Sequence, residues 1–275
     1  MEFVDFTKLL KRGRIDLVFP GWKKGEPVAF FSPHDDDAVL GAGYLILATV
    51  RSGGVPAVIV FCRGDAGYST PAEKKSIVQR RKKEAIRAYG ALGVREKDIH
   101  FFSIPDFSLR SHLDRLPPWG KGVFDKIVSI LREERISRVI FSSGYLEHWD
   151  HTAVFEAGVY TSSQAQDPIL ADLGRPHPMR TYLAYSVWGD FEPAPSGQAT
   201  RADLGILAAE KDEQRVIRAI KEFSSQARII KNIVAHRQKR KTQGGYLELY
   251  KMIKLRRPID YSPYFSILGK LDRRP

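Results

Sequence analysis

The sequence predicts an α/β protein with a Rossmann-like, mostly parallel, doubly wound sheet and helices on both faces. Two observations support this fold class. Short continuous apolar runs such as 27–32 and 55–62 are typical of strands buried on both faces of a parallel sheet. These runs alternate with helical segments, which favours parallel strands joined by right-handed crossovers.

Four strands and four helices are predicted before residue 165. Gly53 and Gly54 end the first helix, as glycine often does. In the third helix Val123, Ile127 and Leu131 share one face, which indicates an amphipathic helix. The predicted strands are 27–32, 55–62, 98–104 and 137–142, and the helices are 38–52, 73–90, 121–135 and 150–163.

The alternation ends after residue 165. Residues 180–188 predict a fifth strand, 189–203 a loop, and about 206–255 two or three helices. We expect one α/β domain over 1–275. It would have a core at about 26–190 and a C-terminal helical extension at about 205–275 packed on that core.

Composition limits the function without identifying it. With 44 Lys and Arg against 32 Asp and Glu, the formal charge is +12, which favours an anionic substrate, a nucleic acid or an acidic surface. Cys62 is the single cysteine, so no disulfide forms within the chain. The charged N-terminus lacks a signal-peptide core, and no stretch approaches the roughly 20 apolar residues of a membrane span. We therefore expect a cytoplasmic protein, and the sequence permits a homo-oligomer.

Two polar clusters follow predicted strands. "HDDD" at 34–37 follows the first strand, and "EHWDH" at 147–151 follows the fourth. Ligands of open α/β sheets bind beyond the carboxyl ends of the strands, so both clusters are expected at one edge. In the alternative interpretation, the aspartates form a solvated turn at a helix start, Asp150 caps a helix, and His148 is an ordinary loop residue.

Together the clusters contain the groups of a catalytic metal site. Histidine nitrogens and carboxylate oxygens bind zinc, and a catalytic site keeps three protein ligands and a water. The metal lowers the pKa of that water to about 7. A further carboxylate can then act as a base, and a histidine as an acid or oxyanion stabiliser.

"SPHDDDAVLGAG" and "EHWDHTAVFEA" resemble the two signature motifs, His-Pro-Asp-Asp and His-x-Asp-His, of the LmbE/PIG-L superfamily of zinc-dependent N-acetylsugar deacetylases. "RRKKEAIRAYGALGV", Pro105-Asp106 and "KEFSSQ" are weaker matches. Spacing and order agree from about residue 27 to residue 226.

The resemblance implies one Zn²⁺ per chain, held by His34, Asp37 and His151. The family spacing favours Asp36 as the general base. Asp35 stands where the family has proline, and the resemblance gives it no role.

The resemblance also implies that His148 is the acid or the oxyanion polariser, and that Asp150 orients a histidine. Three further residues are expected to bind substrate. Arg63 and Asp106 follow strands two and three, with a solvated loop and a turn as their alternatives. Arg81 matches the family's Arg-x-x-Glu, with a helix ion pair as its alternative.

The predicted function is hydrolysis of the acetamide of an N-acetylglucosamine-type sugar or conjugate, with a small-molecule substrate that the basic charge suggests is anionic. The alternatives are a two-metal phosphoesterase, which needs more bridging carboxylates, and a polyanion or nucleic-acid binder without catalysis. The basic runs 74–83 and 236–241 lack interleaved aromatic residues, so no nucleic-acid partner is expected.

Overall fold

A mixed β-sheet lies at the centre of the computed structural model, which describes residues 1–116, 122–191, 200–256 and 258–271. Parts of the predicted loop 189–203, helix 121–135 and tail 256–275 lie outside the described residues. The described strands are β1 (Glu2–Asp5), β2 (Leu10–Arg12), β3 (Pro27–Ser32), β4 (Val55–Cys62), β5 (Ile99–Ile104), β6 (Arg138–Ser142), β7 (Thr181–Tyr185), β8 (Leu204–Ala208), β9 (Lys241–Thr242) and β10 (Gly245–Met252).

Helices cover both faces of this sheet. Successive β3 side chains belong to different cores: Val28 packs with helices 37–51, 77–92 and 210–221, and Ala29 packs with helices 123–133 and 149–156. In the described residues the helices are α1 (Asp37–Arg51), α2 (Ile77–Leu92), α3 (Val123–Glu133), α4 (Trp149–Glu156), α5 (Glu210–Lys221), α6 (Ala227–Arg237) and α7 (Ser262–Leu271). None of the helices in this part of the chain has both the length and the apolar character needed to cross a membrane.

The strand order is β2-β1-β8-β10-β7-β6-β3-β4-β5, with β9 paired to β10. The strands from β7 to β5 are parallel, as predicted. The pairs that involve β1, β2, β8, β9 and β10 are antiparallel. The prediction of a mostly parallel sheet was therefore wrong for half of the described strands, and the fold is mixed α/β.

The expected helical extension was wrong at two places. Residues 204–208 and 245–252 are strands of the central sheet, whereas 210–221 and 227–237 are helices. In β10, Tyr246, Glu248 and Tyr250 alternate inward, so the strand carries a charge toward the core. Because a strand is recognised from alternating apolar residues, a glutamate at an inward position hides this strand from sequence-based prediction.

The helix that follows the first polar cluster is interrupted. Ala42 in α1 has φ −132° and ψ 22°, which breaks the helical hydrogen-bond ladder. The small residues on either side permit close packing: a Cβ on Gly41 would lie 2.9 Å from the Ser186 carbonyl oxygen, and one on Gly43 would lie 2.9 Å from Val216. The "GAG" of the sequence thus lets α1 approach β7 and α5.

Buried charges satisfy the backbone groups that this break releases. The Glu248 carboxylate accepts the backbone N–H groups of Tyr44 at 2.9 Å and Leu45 at 3.2 Å. The Leu40 carbonyl accepts from Arg237 at 3.2 Å and Arg240 at 3.3 Å. A broken helix in the core is tolerated because every buried polar backbone group needs a partner and these charges supply them.

We expect Glu248→Ala to lower the free energy of unfolding by about 3–5 kcal/mol, because it leaves two buried N–H groups without their acceptor and removes the carboxylate that forms an ion pair with Arg240 at 3.6 Å. Urea unfolding monitored by circular dichroism measures the change. Glu222→Ala, which removes an exposed ion pair with Arg87, is the matched control and should cost less than about 1 kcal/mol. Equal losses in the two variants would contradict this role of Glu248.

Candidate metal centre

The two polar clusters meet at one edge of the sheet. β3 and β6 are parallel neighbours, with Ala29 opposite Val139, so their carboxyl ends lie side by side. His34 Nε2 lies 3.2 Å from Asp150 Oδ2, and His151 Nε2 lies 3.1 Å from Asp37 Oδ2.

His34, Asp37 and His151 form the group best suited to a metal ion. Their ligand atoms lie within 4.8 Å of one another, and His34 Nδ1 and His151 Nε2 each lie 3.1 Å from the same Asp37 oxygen. His151 Nε2 is buried and faces Asp37 Oδ2 at 3.1 Å, but it makes no well-aligned hydrogen bond among the described residues. A buried nitrogen without a well-aligned hydrogen bond is costly, and a bound cation would remove that cost. Two imidazoles and a carboxylate fit a catalytic zinc site.

Two other groups of residues could also hold a cation, but their carboxylates already accept more backbone hydrogen bonds. One group joins His34 to Cys62 and Asp106, and the other includes Asp150. Asp106 and Asp150 each accept two backbone N–H groups. Burial raises the pKa of the Cys62 thiol, which disfavours the thiolate that a metal needs. Asp37 accepts one backbone N–H, from His34, and keeps more capacity for a cation.

The carboxylates and imidazoles of this centre favour the charged form of one another, which shifts their pKa values. Burial alone would lower the pKa of His34, but the Asp150 and Asp37 carboxylates raise it well above its usual range. Burial likewise opposes protonation of His151, and Asp37 and Glu147 raise its pKa to about 9. Burial would raise the pKa of Asp37, but His151 and His34 hold it well below its usual range. Metal binding here must therefore displace protons from the imidazoles.

Asp35 is half of a buried ion pair. Arg81 donates to it through both Nε, at 3.0 Å, and Nη2, and lies 3.5 Å from Asp36. Arg81 and Asp35 are both buried, so the structure gives the predicted substrate-binding arginine a partner within the protein. The helix ion pair involves a neighbour instead, since Glu84 pairs with Arg80 at 3.2 Å.

Of the three aspartates, Asp36 has the weakest contacts to the protein. Its side chain is 13% exposed, and its carboxylate lies 3.5 Å from the Arg81 guanidinium. Burial raises the pKa of Asp36 to about 7, with Arg81 opposing the shift and Asp37 and Asp35 adding to it. A carboxyl group that titrates near neutral pH is suited to proton transfer.

His148 is fixed as a neutral donor. It is the N-cap of α4, where its Nδ1 accepts the backbone N–H of Asp150 at 3.1 Å, so the neutral ring carries its proton on Nε2. Burial and the charge of His34 lower the pKa of His148. The Asp150 carboxylate instead contacts His34 and accepts the N–H groups of Phe107 at 2.8 Å and Leu109 at 3.3 Å. The alternative that Asp150 caps this helix was therefore wrong.

Arg63 and Asp106 belong to one loop system at the same edge. The Asp106 carboxylate accepts the N–H groups of Gly64 at 2.8 Å and Ala66 at 3.0 Å. Arg63 donates to Asp65 at 2.8 Å, and its side chain is 42% exposed. Asp106 therefore shapes the loop and Arg63 is open to solvent, and a substrate contact for either residue remains a prediction.

Glu147 was missed by the sequence reasoning. It is buried, its Oε2 lies 2.7 Å from His151 Nδ1, and its Oε1 accepts from the Ser186 hydroxyl at 2.6 Å. The same oxygen accepts three backbone N–H groups of 187–189 at 2.7, 2.9 and 3.2 Å. Burial would raise the pKa of Glu147, but these partners lower it. The i, i+4 spacing of Glu147 and His151 was the available signal.

Solved structures share this fold at low sequence identity. An N,N′-diacetylchitobiose deacetylase from Pyrococcus horikoshii is 17% identical with a TM-score of 0.64, covering 90% of this chain and 91% of its own. The zinc-inhibited form of teicoplanin deacetylase Orf2 is 18% identical with a TM-score of 0.55, covering 83% and 99%. GalB, a 4-carboxy-2-hydroxymuconate hydratase from Pseudomonas putida KT2440, is 17% identical with a TM-score of 0.59, covering 86% and 99%.

The curated proteins contain no match to the chain. Residues 29–161 match the family described as PIG-L, GlcNAc-PI de-N-acetylase. The matched segment contains both polar clusters and the strands β3 and β6 that bring them together. Residues 29–161 of the chain are therefore similar to the PIG-L (LmbE-like) family.

Proposed function

We propose that this protein is a zinc-dependent deacetylase that hydrolyses the acetamide of an N-acetylated sugar or sugar conjugate. The observation that carries the proposal is the convergence of His34, Asp37 and His151, whose buried Nε2 makes no well-aligned hydrogen bond. The carboxyl group of Asp36, which is partly exposed, stands one residue before Asp37. The family match over residues 29–161 supports the same chemistry.

His34, Asp37 and His151 would hold the ion, which when bound supplies a Lewis acid and a water of lowered pKa. Asp36 accepts the proton of the attacking water. His148 donates its Nε2–H to the amide oxygen, where negative charge develops. The C–N bond then breaks, and the proton on Asp36 is available to the leaving nitrogen, so that water and amide become acetate and amine.

Asp150 and Glu147 position the ligands in this proposal. Each carboxylate contacts one ring nitrogen of a ligand histidine, Asp150 on His34 and Glu147 on His151, and is itself held by backbone N–H groups. Such partners orient imidazole ligands and fix which nitrogen is free to bind metal.

The substrate is proposed to be a small N-acetylated sugar conjugate with an anionic group, since the chain carries a +12 charge and the exposed Arg63 stands at the edge of the site.

A two-metal phosphoesterase is less well supported. Asp35 is committed to Arg81, and Asp106 and Asp150 are committed to backbone N–H groups, which leaves few bridging carboxylates in the described residues.

Asp36→Asn should keep the metal and lower acetate release by about 10²–10⁴-fold, because an amide cannot take the water's proton. Acetate release from a panel of N-acetylglucosamine conjugates, together with elemental analysis, measures both properties. Asp172→Asn, at an exposed position, is the control and should keep full turnover. Wild-type turnover by the Asp36→Asn protein would remove Asp36 from the role of base.

Chelation should abolish acetate release, and about one equivalent of Zn²⁺ per chain should restore it. Because one structural neighbour is described in a zinc-inhibited form, the titration should extend to excess Zn²⁺ and include Co²⁺ and Mn²⁺. His151→Ala should bind no stoichiometric metal, whereas His236→Ala, at an exposed position, should bind as the wild type does. Two bound equivalents would instead favour the phosphoesterase.

Glu147→Gln should weaken zinc binding by about 10–100-fold, because the amide replaces the carboxylate that holds the His151 ring. Competition with a chromophoric chelator measures this affinity without reference to turnover. At saturating zinc, kcat should recover toward the wild-type value. Glu156→Gln, which changes an ion pair between the last residue of α4 and Arg110, is the matched control. Unchanged affinity in the Glu147 variant would rule out the positioning role.

A further inference from the structure

The helix α7 presents a row of apolar side chains to solvent. Every described residue from 258 to 271 is exposed. Between 53% and 66% of the surface is exposed for Tyr264, Phe265, Ile267, Leu268 and Leu271.

These five side chains lie on one side of the helix. At 3.6 residues per turn they fall within about 160° of arc, and we call them the α7 stripe. The opposite side carries small and polar residues, namely Ser262, Pro263, Ser266, Gly269 and Lys270.

The α7 stripe needs an apolar surface to cover it. α7 has 10 residues, and isolated helices shorter than about 12–15 residues are marginal in water. The chain that leads to α7 is anchored, because Arg256 pairs with Asp167 at 2.8 Å. The chain is thus held to the body just before α7, while the apolar side chains of α7 are left exposed.

Charge distinguishes between the surfaces that could cover this stripe. Residues 254–275 contain six Lys and Arg and two Asp, and the whole chain carries +12. A second copy of the chain would bring the same positive charge toward the helix. An anionic lipid surface attracts it, by about 1 kcal/mol for each basic residue near the headgroups.

We propose that α7 docks this protein on anionic membranes, lying in the interface plane with the α7 stripe among the acyl chains and Lys270 among the headgroups. Tyr and Phe suit this depth, since their rings are apolar and membrane interfaces are enriched in aromatic residues. A short amphipathic helix with basic flanks binds through buried apolar area and electrostatic attraction together. This inference does not depend on the proposed deacetylase function.

Co-sedimentation of the full chain with vesicles tests the proposal. We expect binding to phosphatidylcholine vesicles that contain about one third phosphatidylserine, and about tenfold weaker binding to phosphatidylcholine alone. Raising the salt from about 0.05 M to about 0.5 M should weaken binding to the anionic vesicles.

A matched pair of variants separates the stripe from general hydrophobicity. Leu268→Ala with Leu271→Ala keeps a helix-forming residue at both positions and should weaken binding to anionic vesicles at least about tenfold. Leu9→Ala with Leu116→Ala removes two exposed leucines from the body of the protein and should bind as the wild type does.

Three results would overturn the inference: no binding to anionic vesicles, equal binding to neutral ones, or equal loss in both double variants. Light scattering supplies a further test. A wild-type dimer that becomes a monomer in Leu268→Ala with Leu271→Ala would assign the stripe to a second copy of the chain instead.

Discussion

Three consecutive carboxylates at the buried end of β3 are the constraint on which the rest of the site depends. Like charges at such a position repel and lose their hydration, so each needs a partner or a proton. Asp35 is neutralised by Arg81, and Asp37 lies between His34 and His151. Asp36 shares part of the Arg81 charge and keeps a pKa near neutrality. Three adjacent aspartates thus differ in charge state and in reactivity, because each has different charged neighbours.

The two histidines of the second cluster also differ because their partners differ. His151 contacts Glu147 through Nδ1, so its Nε2 points to Asp37. His148 accepts a backbone N–H with Nδ1, so its Nε2 can donate. Residues three positions apart at one helix start therefore differ: the neutral His148 ring offers an N–H donor, whereas Nε2 of His151 faces a carboxylate. Backbone and carboxylate contacts, and not the identity of the residue, make this difference.

The parallel half of the sheet and the meeting of the clusters could be predicted from the sequence. β3, β4 and β6 are continuous apolar runs, and parallel strand ends must share an edge. The antiparallel half could not be predicted, because β1 and β2 are only four and three residues long and β10 carries Glu248 inward. The partner of Arg81 was equally hidden: spacing places Glu84 one helical turn away, but only the fold shows that Asp35, 46 positions earlier, is closer.

The broken helix α1 has a consequence for how the protein is made. Glu248, which accepts the N–H group of Tyr44, lies 204 positions after it in the chain, and Arg237 and Arg240 are also distant. The family-matched segment 29–161 holds every residue of both clusters but none of these three charges. During synthesis the clusters emerge first, and the helix that carries Asp37 must wait for the last sheet strand before its released backbone groups are satisfied. Contacts of such sequence separation form slowly, so a nascent chain passes through a stage with a complete set of site residues and an unfinished support.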